Sequence, residues 1–119
     1  MFKFENLDVW KVSLELYSKV ADASKNLGRK HHFLIEQIMR ACLSISANIA
    51  EGTGRGGIRE SKQFFNIAKG SVYEVVSIAH VMRQEGLLQA EKFSHVYQLC
   101  DRIVCDRIAS MLTGLITKG

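Results

Sequence analysis

Residues 48 to 62, NIAEGTGRGGIRESK, concentrate the chain's glycines: four of nine fall between Gly52 and Gly57. Loops of this kind hold phosphate when their backbone N–H groups converge and a following Lys and Ser/Thr supply a cation and a magnesium-binding hydroxyl. Gly52 and Gly57 have the right spacing, but Ile58 and Arg59 stand where the lysine and hydroxyl are needed. Gly52, Gly54 and Gly57 also match the G-x-G-x-x-G spacing, yet they follow a helical segment and lie in no βαβ unit. The segment is therefore expected to turn one helix into the next, with glycines at positive φ and no nucleotide cofactor.

The ionisable residues suggest structure rather than catalysis. If the turn centres near Arg55, Glu36 falls opposite Glu74 and Asn48 opposite Lys62. Glu51 and Glu74 are then separated along the hairpin by roughly 22 Å, too far for one carboxylate dyad. Arg40, one turn from Glu36, would make the Glu36–Glu74 pair an ion network. Glu91 and His95 miss the Glu-x-x-His spacing of di-iron bundles by one residue. His31 and His32 lack an obvious third ligand, and Cys100 and Cys105 point about 140° apart on a helix. His80 and His95 are solitary. No catalytic residue, metal or cofactor is expected, and the chain reads as non-enzymatic.

The elements that position these residues are helices. The chain has no proline and an apolar periodicity of three and four almost throughout. Val9, Val12, Leu16, Val20, Ala23 and Leu27 form one stripe; Leu34, Ile38, Ala41, Ile45 and Ile49 form a second. Phe64, Ala68, Ser71, Val75, Ile78 and Met82 form a third, and Phe93, Val96, Cys100, Ile103, Met111 and Leu115 a fourth. Gly28, the 52–57 cluster and Gly86 punctuate them as helix stops. Short connections predict an all-α, antiparallel up-and-down four-helix bundle, and 119 residues with 47% hydrophobic content predict one domain over 1–119.

No uninterrupted apolar run approaches the ~20 residues of a membrane span, and the N-terminus lacks a signal-peptide pattern. A cytoplasmic protein without membrane contact is expected. Cys42, Cys100 and Cys105, an odd number, fit a reducing compartment and small core positions. Trp10, Leu14 and Tyr17 on helix one, and Phe65, Val72, Val76 and Ala79 on helix three, widen the apolar stripes beyond what a small bundle should bury. They predict a second buried surface, between subunits.

Net charge is only +4, but residues 25 to 69 hold eight cations against Glu36, Glu51 and Glu60, leaving −1 for the rest. These are Lys25, Arg29, Lys30, Arg40, Arg55, Arg59, Lys62 and Lys69. In an up-and-down bundle they form two end patches or a stripe joining them, suited to RNA or DNA phosphates. The competing interpretation is a solvated face on a structural or protein-interaction ring, because no helix-turn-helix, zinc finger or aromatic RNA-binding motif is present.

FENLDVWKVSLEL, FLIEQIMRACLSISANIAEG and FFNIAKGSVYEV together resemble the "four helix bundle protein" family, encoded in intervening sequences of bacterial 23S ribosomal RNA genes. SxxxNIAEG with IAxGSxxE carries the resemblance over nearly the whole chain. It implies an up-down bundle assembled into a homopentameric ring, without enzymatic activity. It also implies kinship with the accessory protein of diversity-generating retroelements, which binds nucleic acid and a reverse transcriptase; a reverse transcriptase or ribosome-associated partner follows as an expectation. The signature falls on Asn48, Glu51, Gly52, Gly70, Ser71 and Glu74, with structural roles expected, and Gly70 is expected at a close helix crossing. Family prolines are replaced around Ser46 and Ala47, and around Leu27 and Gly28, so kinks are in question there.

Overall fold

A computed structural model describes residues 1–108. Its four helices are α1 (Asp8–Ser24), α2 (His32–Thr53), α3 (Ile58–Gln84) and α4 (Ala90–Asp101), the last continuing as a π-helical stretch, Arg102–Ile108. A 3-10 turn, Lys3–Asn6, precedes α1, and another, Arg29–His31, leads into α2. Among the described residues there is no strand. Each helix packs against its two neighbours around the bundle, α1 on α2 and α4, and α3 on α2 and α4, while the diagonal pairs lie further apart. The predicted up-and-down arrangement is thus what forms. Met111 and Leu115 lie outside the described residues.

The core follows the stripes in α1 and α2: Val9, Val12, Leu16 and Val20 pack on Ile38, Ala41, Ile45 and Ile49. In α3 the stripe is rotated from the expected one. Phe65, Val72 and Ala79, assigned above to a subunit interface, are buried inside the chain, and Val76 is half-buried against them. Ile78 is only half-buried. The reason is that Phe65, not Phe64, packs on Gly52 of α2, which turns the buried face of α3 towards it. Leu14 alone of the expected surplus on α1 stays largely exposed.

Helix α2 runs unbroken through Ser46 and Ala47, where the Ser46 hydroxyl donates back to Leu43 O. Without the family's proline, the helical hydrogen-bond ladder continues through this position. By length and mean hydropathy, α2 with its leading turn, Arg29–Thr53, is apolar enough to cross a bilayer. Ile38, Ala41, Cys42, Ile45 and Ile49 of this segment pack in the core, Phe33 and Leu43 are exposed, and the Glu36–Arg40 ion pair lies on its surface.

The turns correct the glycine expectation. Gly86 is the only described residue at positive φ, +76°. There Gly86 N–H donates to Arg83 O and Leu87 N–H to Met82 O, the paired bonds of a Schellman stop. In the α2–α3 turn, Gly54 has φ −84° and Gly57 φ −117°, so reversal there needs no left-handed residue. The Gly54 N–H bonds Ala50 O and Glu51 O, and Arg55 N–H bonds Gly52 O, which consumes donors a phosphate loop would have to present.

Candidate nucleic-acid interface

The signature residues assemble along the α2–α3 seam. Ser44 Oγ and Ser71 Oγ share a hydrogen bond of 2.7 Å, and Asn48 Nδ2 donates to Ser44 O at 2.8 Å and Ser44 Oγ at 3.1 Å. One turn further on, a side chain on Gly52 would place Cβ 2.6 Å from the Phe65 ring. The close crossing therefore sits at Gly52. Gly70, where it was expected, is exposed with open space around a Cβ. Glu51 accepts a 2.6 Å bond from Arg55, whose guanidinium also lies 4.7 Å above the Phe64 ring.

These pairings run later in α3 than a turn centred at Arg55 predicts, since 44 meets 71 and 52 meets 65. Hence Glu36 does not meet Glu74. Glu36 is instead held within its own helix by His32 at 3.2 Å and Arg40 at 3.5 Å, and Glu74 is exposed on α3. Sequence reasoning missed Ser44, Phe64 and Phe65 as positioning residues. Ser44 was visible as the first residue of SxxxN; nothing in the local pattern pointed to the rings.

The eight candidate cations separate into two ends and a middle. Arg55, Arg59 and Lys62 lie at the α2–α3 tip, Lys25, Arg29 and Lys30 at the opposite end, and Arg40 and Lys69 between. Three are internally engaged: Lys25 with Asp22 at 3.0 Å, Arg40 with Glu36, and Arg55 with Glu51. The Lys25 hydrogen bond and charge, helped by Lys92, hold the Asp22 carboxyl below its ordinary range. Among the described residues, Arg29, Lys30, Arg59, Lys62 and Lys69 make no ion pair. At the tip, Gly57 caps α3 without a side-chain acceptor, so the first-turn N–H groups face outward unaided by a capping oxygen.

The thiols divide differently from the expectation. Cys42 and Cys100 are buried, which pushes both up to about 12. Cys105 is exposed and donates to Asp101 Oδ1 at 3.3 Å. No group of three or more His, Cys, Asp or Glu side chains placed to hold a metal occurs among the described residues. In comparisons with known proteins, the family described as 23S rRNA-intervening sequence protein matches residues 5–113. No curated protein matches.

Proposed function

The chain belongs to the 23S rRNA-intervening sequence protein family, and we propose on that premise that it is a non-enzymatic, self-associating adaptor that binds RNA or DNA through phosphate contacts. The supporting observation is the set of cations that make no ion pair among the described residues, Arg59 and Lys62 at the tip and Arg29 and Lys30 opposite. An exposed cation already paired to a carboxylate has less to offer a phosphate, so the working set is narrower than the eight residues. A single copy at +4 is a weak polyanion binder; several linked copies gain effective concentration. A cytoplasmic location and a reverse transcriptase or ribosome-associated protein partner belong to the same proposal.

Titration of labelled single- and double-stranded RNA and DNA across salt concentrations tests it. Binding whose logarithm falls linearly with log salt, by roughly 0.9 per phosphate neutralised on a duplex, is expected. The double reversal Arg59→Glu/Lys62→Glu should weaken binding of all sequences alike and flatten that slope. Absence of binding at low salt rejects the proposal in favour of a structural or protein-interaction ring.

A further inference from the structure

A groove of about 250 Å³ runs along the flank where α1 and α4 meet, lined by Glu15, Lys19, His95, Gln98, Leu99 and Arg102. Glu15 and Lys19 are four residues apart, and Gln98, Leu99 and Arg102 follow His95 at three, four and seven, so each set shares one helix face. Residues outside 25 to 69 sum to −1, so a charge count along the chain passes over these cations. Only the packing of the first helix on the last brings them together.

The helix register orders the groups. Lys92 pairs with Asp22 at 3.7 Å, and in an antiparallel pair each step back along α1 matches a step forward along α4. Lys19 is therefore level with His95, Glu15 is level with Leu99, and Arg102 lies about one turn beyond. Lys19 with His95 at one end and Arg102 at the other stand roughly 10 Å apart at about 1.5 Å per residue. Between them are Glu15 and Gln98, over the buried side chain of Leu99. With its amide nitrogen donating to Ser94 Oγ at 3.4 Å, Gln98 offers its carbonyl oxygen as an acceptor.

Glu15 and Lys19 have the order that favours an ion pair along a helix. Yet among the described residues Glu15, Lys19 and Arg102 make no ion pair. Donors at both ends and acceptors in the middle suit a ligand with an anionic end, hydroxyl groups next to it and a planar ring beyond. A phosphate at Lys19 and His95 receives charge-assisted hydrogen bonds. Sugar hydroxyls donate to Glu15, as ribose does to the acidic residue of dinucleotide sites. The planar guanidinium of Arg102 stacks on a base.

We propose that the α1–α4 groove binds one ribonucleotide unit by its terminal phosphate, presented by a nucleoside monophosphate or by the phosphorylated 5′ end of an RNA strand. Its volume, just under the roughly 300–1,000 Å³ of drug-sized sites, admits one such unit and no duplex. The site uses none of the eight cations assigned to the ends and middle of the bundle, so it stands apart from the adaptor function.

Calorimetric titration of the whole chain with 5′-AMP at about 0.15 M salt tests it. Saturable binding of one AMP per chain is expected. Adenosine, inorganic phosphate and 5′-dAMP should each bind roughly tenfold more weakly or worse, because each lacks one of the contacts. Lys19→Ala and Arg102→Ala should each weaken AMP by a similar factor, and Glu15→Ala should bring AMP and dAMP to parity. Arg59→Glu/Lys62→Glu should leave AMP binding unchanged. Glu15, Lys19 and Arg102 are exposed, and far-UV circular dichroism verifies helicity; Lys19→Gln or Arg102→Gln replaces an alanine variant that unfolds. Competition by a 5′-phosphorylated RNA oligonucleotide but not by its 5′-hydroxyl counterpart supports the strand end as the source, and competition by neither supports the free nucleotide. Equal competition by both overturns the proposal. So does a lack of saturable AMP binding, equal binding of adenosine or of inorganic phosphate, or AMP binding that the tip reversal removes and Lys19→Ala spares. The adaptor function is decided separately, by the salt dependence of oligonucleotide binding.

Discussion

The α2–α3 seam and the α3–α4 seam share a helix yet are built differently. The first is closed by a glycine under a ring and by a serine pair with an asparagine behind it; the second parts into a cleft between two tyrosines. Close approach at the first seam requires particular residues at particular positions, whereas the second is generic valine packing beneath an unfilled surface. Function is therefore to be sought where packing stops short, and structure where it is tightest.

Thiol chemistry tests whether the cleft floor is as dry as the closed seam. Cys42 is buried in the core and Cys100 lines the cleft, yet burial pushes both to about 12. Against free cysteine in solution, alkylation of these two near neutral pH should be slower by roughly a thousandfold, because thiolate falls tenfold per unit. Labelling of Cys100 as fast as that of free cysteine would mean that the cleft admits bulk water to its floor. The same ionisation makes stability full below pH about 9 and progressively lost as pH rises towards about 12, since unfolded thiols release protons that folded ones retain.

Gly52→Val should be the most damaging single change at the closed seam, costing about 1–3 kcal/mol or more by overpacking against Phe65, as read from a denaturant midpoint. A midpoint within error of the parent would show that the ring can swing aside. At the turn between α3 and α4, Gly86→Ala puts a side chain at φ +76° and should cost about 1–2 kcal/mol. Ser44→Ala, which strands Ser71 and one Asn48 contact, should cost about 1 kcal/mol in the same assay. Gly70→Ala should be the mildest, raising stability by up to ~1 kcal/mol through helix propensity, because nothing lies near its Cβ. Loss of stability there would restore Gly70 to a crossing.

Helix number, order and most core residues were legible because three- and four-residue periodicity records burial directly, as Leu16, Ile38, Ile45 and Val75 illustrate. The rotation of α3 was not, since Phe64 and Phe65 are equivalent to a periodicity argument and only packing on Gly52 decides between them. Glycine density misled for a related reason. The four glycines near residue 55 announce a turn but not its dihedrals, while isolated Gly86 carries the left-handed residue. Of the candidate interface, the basic residues were legible by charge, but their internal partners depended on helix phase: Glu51 reaches Arg55, and Asp22 reaches Lys25.

The unbroken course of α2 has a metrical consequence. The turns at Gly28 and Gly54 cannot approach or separate without breaking helical hydrogen bonds, so 22 residues act as a ruler holding the two basic ends roughly 33 Å apart at about 1.5 Å per residue. That length is close to the ~34 Å repeat of a B-form duplex. On the proposed function, an oligonucleotide much shorter than the ruler would reach one end at a time, whatever its sequence.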